Sequence, residues 1–482
     1  MKTKNLLSSY LFFWAILFNF LLITLYACGG VTGSNRVNVN QSQHPTAAHG
    51  LWTWVSGDST FNQRGDYGTK GVAASTNKPG ARDGSVSWTD SKDNLWLFGG
   101  YGYSATGYSG NLNDLWKYDG TNWTWVSGDS RINQHGVYGA KGVAAGTNKP
   151  GARHGSVSWT DSKDNLWFFG GVGYDGKGIQ GKLNDLWKFD GTNWIWVSGD
   201  SRRNQRGVYG TKGIAAGTNK PGARLDSVSW TDSKDNLWLF GGRGEGKFRE
   251  SWLNDLWKFD GTNWIWVSGD SQRDQRGDYG TKGVAAGTNK PGARYGGVSW
   301  TDSKDNLWLF GGRGEGKLWE SLRNDLWKFD GTNWTWVSGD SRRNQIGVYG
   351  AKGVAAGTNK PGARNGSVSW TDSKDNLWLF GGWGRGNVRE KSLLNDLWIF
   401  DGTNWTWVSG DGGWYRPGVY GTKGVAVGTN KPGGRDCGIS WIDSKGNLWL
   451  FGGRDLYSGN FNLNVLWESD YFNLNDLWKF EP

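Results

Sequence analysis

Short apolar segments separated by polar turns recur along the chain from residue 51 onward. Within the first complete copy we predict four strands, at residues 84–89, 94–98, 114–118 and 123–127. The second strand contains Leu-Trp-Leu-Phe, which is apolar at odd and even positions alike, a pattern typical of a strand covered on both faces. An Asp-Gly step joins the third and fourth strands and indicates a hairpin. The pattern therefore predicts four-stranded antiparallel sheets.

The four-strand pattern occurs six times. A Gly-Gly pair and the tetrapeptide Trp-Val-Ser-Gly both return every 70 or 71 residues. Repetition at a fixed period indicates structural units that cover one another's apolar faces. Six four-stranded sheets of this kind predict an all-β fold, a six-bladed β-propeller. The tetrapeptide begins at Trp54, Trp125, Trp196, Trp266, Trp336 and Trp407.

The two ends of the chain complement each other. Residues 51–57 contain a fourth-strand segment that no other three strands precede. The chain stops after residues 476–480, a third-strand segment with no fourth strand following it. We therefore expect the N-terminal strand to complete the last blade and close the ring, so that residues 51–482 form one propeller domain.

Several of these features resemble the kelch-repeat superfamily, which includes the propeller domain of galactose oxidase. They are the Gly-Gly pair expected to end strand two, Asn-Asp-Leu-Trp in strand three, the aromatic strand four, and Arg-Asp-Gly-Ser starting at Arg82. The repeat is longer than the kelch period of about 50 residues, and the excess lies in residues 57–82 and after Gly-Gly. The resemblance implies a fold and a tendency to bind other molecules, but no reaction.

The N-terminal segment has the features of an export signal. Lys2 and Lys4 precede an apolar stretch at residues 10–27, and Cys28 follows directly after Ala27. This arrangement resembles a bacterial lipoprotein signal, although Tyr26 is larger than that pattern prefers. The resemblance implies removal of residues 1–27, lipidation of Cys28 and a location in the cell envelope. Two alternatives stay open, an uncleaved membrane anchor and ordinary secretion.

Residues 28–50 are polar and lack an apolar period, so we expect a flexible tether.

The amino-acid composition excludes further classes of protein. With 36 Trp and 2 Cys, the chain is neither a disordered polymer nor a disulfide-built domain. The formal net charge of +10 is mild for 482 residues and permits attraction to acidic polymers without requiring it. We expect no cofactor, no metal and no nucleic-acid partner, and a monomer.

The near-identical copies act as an internal control, because a residue common to all six is expected to belong to the scaffold. Thirty tryptophans occupy the same places in every copy, and Trp14 lies in the signal. Five remain, and all fall between strands two and three or between blades, connections that leave a blade on the same side. We therefore predict that they share one rim. These five are Trp252, Trp319, Trp383, Trp414 and Trp467.

Charged residues in the same loops extend the predicted rim. Exposed aromatic rings beside planar charged groups suit stacking on, and bidentate hydrogen bonding to, a sugar or a polar polymer. An equally weighted alternative is that the loops only confer solubility and that their tryptophans fold back onto the blades. The charged candidates are Glu245, Glu315, Glu390, Arg243, Arg313 and Arg385.

Other polar residues carry weaker signals. The arginine at position 82 recurs in all six copies, which predicts a structural ion pair or hydrogen bond. His135 and His154 are isolated substitutions in the repeat, and we expect them to face solvent. Cys437 replaces Gly or Asp and is expected to be a small core residue.

These observations favour a non-enzymatic, envelope-anchored protein that binds a protein or carbohydrate ligand through the rim. Galactose oxidase chemistry requires a copper site with histidines, and the repeats hold only His135 and His154. A sialic acid mutarotase-like or other kelch-propeller enzyme is harder to exclude, because it would need only acid and base groups near the channel. A purely structural surface scaffold is the third alternative.

Overall fold

The computed structural model describes residues 50–247, 250–314, 321–456 and 471–482. Every regular element in these ranges is a β-strand. Within the same ranges we find no helix with the length and apolar character needed to cross a bilayer. The predicted all-β class is confirmed.

Each sequence repeat folds into an antiparallel sheet whose strands lie in the order inner, second, third, outer. The inner strands are Val86–Thr89, Val157–Thr160, Val228–Thr231, Val298–Thr301, Val368–Thr371 and Ile439–Ile442. The second strands are Leu95–Tyr103, Leu166–Phe169 continued by Val172–Tyr174, Leu237–Glu245, Leu307–Gly314, Leu377–Arg385 and Leu448–Leu456. The third strands are Ser109–Tyr118, Gln180–Lys182 continued by Leu186–Phe189, Glu250–Phe259, Leu322–Phe329, Lys391–Phe400 and Tyr471–Glu481. The outer strands are Trp123–Ser127, Trp194–Ser198, Trp264–Ser268, Trp334–Ser338, Trp405–Ser409 and, from the N-terminus, Leu51–Ser56.

The Gly-Gly pair does not end the second strand, contrary to the expectation from sequence. Gly99 and Gly100 have φ of 65° and 102°, and they form a bulge beyond which pairing with the third strand resumes. The extension also pairs with a separate two-residue strand just before the inner strand. The short strands are Arg82–Asp83, Arg153–His154, Arg224–Leu225, Arg294–Tyr295 and Arg364–Asn365.

Both faces of each sheet are buried against neighbouring repeats, as the two-sided apolar pattern predicts. Trp88 of repeat one packs in one cluster with Phe168 and Trp187 of repeat two. Its indole Nε1 donates a hydrogen bond to the Trp167 carbonyl at 2.9 Å. Repeated four-stranded antiparallel sheets with this packing fit a β-propeller.

The inner strands are also hydrogen-bonded from one repeat to the next. Ser158 Oγ donates to the Ser87 carbonyl at 3.0 Å, and Ser87 Oγ donates to the Ser440 carbonyl at 3.0 Å. The other bonds of this series run from Ser229 to Ser158, Ser299 to Ser229, Ser369 to Ser299 and Ser440 to Ser369. The series therefore leads from repeat six back to repeat one.

The N-terminal strand Leu51–Ser56 pairs antiparallel with Tyr471–Glu481 of repeat six. Trp52, 3% exposed, lies opposite Phe480 and contacts its ring at a centroid distance of 5.1 Å. The first and last described strands of the chain thus share one sheet.

The sheets have two different ends. At one end, which we call the turn face, lie the short connections between inner and second strands and between third and outer strands, such as residues 90–94 and 119–122. The opposite end, which we call the connection face, carries the hairpins between second and third strands and the segments that join one repeat to the next. Both kinds of predicted rim loop leave the sheets at the connection face.

Candidate functional site

A buried ion pair fixes the backbone of every repeat at the connection face. The Arg82 guanidinium makes two bonds of 2.8 Å to the Asp114 carboxylate, and both side chains are almost fully buried. Burial lowers the pKa of Arg82, but the charge and hydrogen bonds of Asp114, together with Tyr67, outweigh burial, so the pKa is raised. The predicted structural role is confirmed. The pairs are Arg82–Asp114, Arg153–Asp185, Arg224–Asp255, Arg294–Asp325, Arg364–Asp396 and Arg435–Asp476.

The residue directly after this arginine differs between copies and pairs across the sheet with a second variable residue, just beyond Gly-Gly. We call these twelve positions the mouth. They are Asp83 with Tyr101, His154 with Val172, Leu225 with Arg243, Tyr295 with Arg313, Asn365 with Trp383, and Asp436 with Arg454.

A chain of backbone hydrogen bonds draws the mouth together. Gly155 N donates to the Gly84 carbonyl at 2.8 Å, and Gly84 N donates to the Cys437 carbonyl at 3.0 Å. The same bond joins the remaining copies, and all six residues have positive φ. Asp226 and Cys437 adopt this conformation, at 50° and 54°, without being glycine; such strained positions are concentrated at functional sites.

Three carboxylates from different repeats surround one guanidinium in the mouth. Arg454 donates to both oxygens of Asp436, at 3.0 and 2.8 Å. Burial raises the pKa of Asp83 to about 7; Arg454 opposes this, and the charges on Asp436 and Asp226 add to it. Burial likewise raises the pKa of Asp226 to about 6, again against the effect of Arg454. Asp83 therefore exchanges its proton near neutral pH.

Cys437 borders this cluster, and Arg454 Nη2 lies 3.7 Å from its sulfur. The prediction of a simple core residue was incomplete, because the thiol lies beside the charged mouth. Burial, followed by the charge of Asp436, raises its pKa well above the ordinary value. The thiol is therefore protonated at neutral pH and is a poor nucleophile.

His154 lies in the mouth and is half-buried, so the prediction that it faces solvent was wrong for this residue, whereas His135 is exposed as predicted. Its Nδ1 is 2.7 Å from the Asn111 side-chain oxygen, and its ring contacts Tyr101 at 5.9 Å. Burial and the charge of Arg454 lower the pKa of His154 to about 4. The imidazole is thus neutral at pH 7, with Nδ1–H donated to Asn111 and Nε2 left as a base.

Repeats three to five supply a different environment. Arg313 Nη1 donates to the Tyr295 hydroxyl at 3.2 Å, and the Tyr295 ring contacts Trp252 at 5.9 Å. Two mouth residues of these repeats each have a buried polar atom, Arg313 Nε and the side-chain oxygen of Asn365, with no hydrogen-bond partner in the described part of the chain. One is a donor and the other an acceptor. Such atoms are costly when buried unless a ligand or water completes them.

The described rim tryptophans occupy three different environments. Trp252 and Trp383 are half-buried, and Trp383 packs against Leu393, Tyr415 and Leu456. Trp414, by contrast, is 46% exposed on the segment that joins repeats five and six. Three predicted site residues, Trp319, Trp467 and Glu315, lie outside the described residues, as does Cys28.

The charged rim candidates are distributed along the same hairpins. Arg243 is half-buried, and its charge lowers the pKa of nearby Asp226 against the effect of burial. Glu245 is half-buried farther along that strand, whereas Glu390 is exposed. Arg385 is half-buried, and its Nε has no partner in the ranges that the structure describes. The mouth thus includes Arg243, Arg313 and Trp383 from the predicted set, with Trp252 beside them.

Below the mouth, the inner strands enclose a cavity of about 410 Å³ that opens toward the turn face. Its lining is nearly the same in every repeat, a Ser-Trp-Thr triplet with Ile442 in place of the last threonine. It therefore lacks the variation seen at the mouth. No group of three or more His, Cys, Asp or Glu residues within the described ranges is arranged to hold a metal ion.

Most of the mouth was missed from sequence because only the loops of the six copies were compared with one another, whereas these differences lie within strands. The signal was nevertheless present: the position after the recurring arginine holds five residue types in six copies. The missed residues include Asp83, His154, Asn365, Asp436 and Arg454 of the mouth, together with Asp226 and Cys437 next to it.

The chain resembles known proteins in structure rather than in sequence. No protein-family model matches the chain, and no curated protein matches it. Among solved structures, that of YjhT is similar, with 14% sequence identity and a TM-score of 0.48. The match covers 83% of this chain and 95% of YjhT.

Proposed function

We propose that this chain is an envelope-anchored, non-enzymatic binding protein, a closed six-bladed propeller of the kelch type whose mouth binds a hydroxylated ligand such as a glycan. The six sequence repeats support six blades. Closure is supported by the inter-repeat serine bonds that lead from repeat six back to repeat one and by the pairing of the N-terminal strand with repeat six. The lipoprotein-like signal ending at Cys28 supports export and anchoring.

The observation that carries the proposal is the pair of incomplete polar atoms among variable residues. A hydroxyl group both donates and accepts hydrogen bonds, so a hydroxylated ligand suits a mouth that contains incomplete donors such as Arg313 Nε and incomplete acceptors such as the Asn365 oxygen. The neighbouring rings of Tyr295 and Trp252 suit the apolar face of a sugar. Arg243, Trp383 and Arg385 extend this surface from repeat three to repeat five.

The test is a glycan-array screen of the purified protein, followed by titration of the best hit against mouth variants. Asn365→Leu and Arg313→Val are suitable, because Leu225 and Val172 occupy the equivalent positions in other repeats. Each substitution should weaken the affinity for the best hit by about tenfold or more, because each removes a hydrogen-bonding group that is charged or buried. Lys163→Gln, on the turn face, is the control. An array without hits, or hits that bind both mouth variants normally, would reject the proposal in favour of a structural scaffold.

A second candidate is acid/base catalysis, supported by one observation. Asp83, with a pKa of about 7, can donate or accept a proton near neutral pH, and neutral His154 in the same mouth can accept a hydrogen bond through Nε2. Interconversion of the two anomers of a reducing sugar is the simplest reaction that such a pair could perform. NMR exchange measurements on a sugar panel test it: acceleration that Asp83→Asn or His154→Asn abolishes supports an enzyme, and no acceleration excludes this reaction.

A further inference from the structure

Three of the segments that join successive repeats form a basic surface beside the mouth. They are residues 200–206, 270–276 and 340–346, which we call the basic sector. Each is hydrogen-bonded to the start of a third strand, for example Asn344 N to the Leu322 carbonyl at 2.8 Å. Leu322 in turn lies opposite Arg313 of the mouth. The sector therefore flanks the half of the mouth where the incomplete polar atoms lie.

The sector holds seven arginines against four aspartates. The aspartate that begins each segment is already paired, as in Asp200 with Lys220 at 2.8 Å. Asp274, the other acidic residue, accepts hydrogen bonds from Ser251 and from the Trp252 amide. None of the seven arginines forms an ion pair with a described residue, and all but the half-buried Arg203 are exposed. They are Arg202, Arg203, Arg206, Arg273, Arg276, Arg342 and Arg343.

We propose that the basic sector binds an acidic polysaccharide, a polymer whose carboxylates span the three segments. Guanidinium groups pair bidentately with carboxylates, and spacing over three repeats suits an extended chain better than a small anion. The three segments contain no aromatic residue, whereas single-stranded nucleic acids depend on aromatic stacking. The proposal goes beyond the mouth and does not require it to be occupied.

The test compares two fourfold variants of the full chain with equal loss of positive charge. One carries Arg202→Gln, Arg206→Gln, Arg273→Gln and Arg276→Gln in the basic sector. The control carries Lys163→Gln, Lys234→Gln, Lys304→Gln and Lys374→Gln on the turn face. Immobilised polygalacturonate is the probe, dextran the uncharged comparison, and oligo-dT the nucleic-acid comparison, each measured at low and at physiological ionic strength.

Wild-type protein and the control should bind polygalacturonate alike, and binding should weaken about tenfold or more as salt screens the charges. The sector variant should bind about tenfold or more weakly than the control at low salt, because the loss is local and not a matter of net charge. Equal affinities of the two variants, no binding by wild type, or oligo-dT bound as tightly as polygalacturonate would overturn the proposal. Asn365→Leu should leave polymer binding intact, which separates this result from that for the mouth.

Discussion

Two adjacent residues of this chain, Arg82 and Asp83, have unrelated structural roles. Arg82 closes a buried ion pair with Asp114, and its recurrence in six copies made that role predictable from sequence. Asp83 points into the mouth, where its environment depends on Arg454, Asp436 and Asp226 from other repeats. No local pattern encodes that environment, because it exists only after distant repeats have come together.

The raised pKa of Asp83 predicts a pH-dependent stability. The side chain titrates near 3.8 when unfolded and near 7 when folded, so between these values the folded state binds more protons. Stability from this group is therefore complete below about pH 4 and is lost as pH rises through 7. Asp83→Asn should reduce the fall in Tm between about pH 5 and 8, measured by thermal melts. Asp119→Asn, in an exposed turn, should retain the wild-type fall, and equal falls in Tm for all three proteins would contradict the assignment.

Among elements, the strands with strong aromatic patterns were the most predictable. The outer strand Trp123–Ser127 has the bounds expected from sequence. The second strand was expected to stop at Gly-Gly, a pair typical of turns, but it continues to Tyr103. Gly100 must lack a side chain there, since a Cβ would lie 2.3 Å from Ser85 Oγ. The pair thus serves a bulge, and the lengthened strands beyond it carry half of the mouth.

The N-terminal strand provides the test of closure. Deleting residues 51–57 would uncover the edge of Tyr471–Glu481 and remove Trp52 from its cluster. Thermal melts should show a severe loss of stability, far greater than that from deleting residues 29–45. Within the strand, Trp52→Ala should cost about 3–5 kcal/mol, whereas Leu51→Ala, at an exposed position, should stay within about 0.5 kcal/mol. Melting temperatures that agree for the two deletions would refute a closed ring.

At the scale of the whole molecule, the two ends of the sheets differ in their charged residues, because the turn face mixes aspartates with lysines and the connection face carries a cluster of arginines. The turn face presents repeated aspartates such as Asp90, whose carboxylate accepts hydrogen bonds from the side chains of Asn94 and Trp96. Burial raises the pKa of Asp90, but these hydrogen bonds outweigh burial and lower it. The connection face carries the arginines of the basic sector. The net charge of +10 therefore understates the local field at the connection face. The repeats made the fold predictable, but this difference required knowing at which end each loop lies.

The proposed anchor is tested through the two cysteines of the chain. Wild-type protein should incorporate labelled fatty acid and partition into detergent, because a lipid chain on Cys28 adds a large apolar surface. Cys28→Ser should lose the label and retain residues 1–27, whereas Cys437→Ser should be labelled normally. A wild-type protein without label would reject lipidation and favour an uncleaved anchor or secretion.

The direction of the N-terminal strand has a consequence for how the protein would meet its surroundings. Leu51 lies opposite Glu481, at the turn face and therefore at the end of the sheets away from the mouth. A lipid on Cys28 would be joined to the turn face through residues 29–50, a length of chain that can span at most about 75 Å. Because the mouth lies at the opposite end of the sheets, an attachment at the turn face would leave it accessible to long polymers in the surrounding medium.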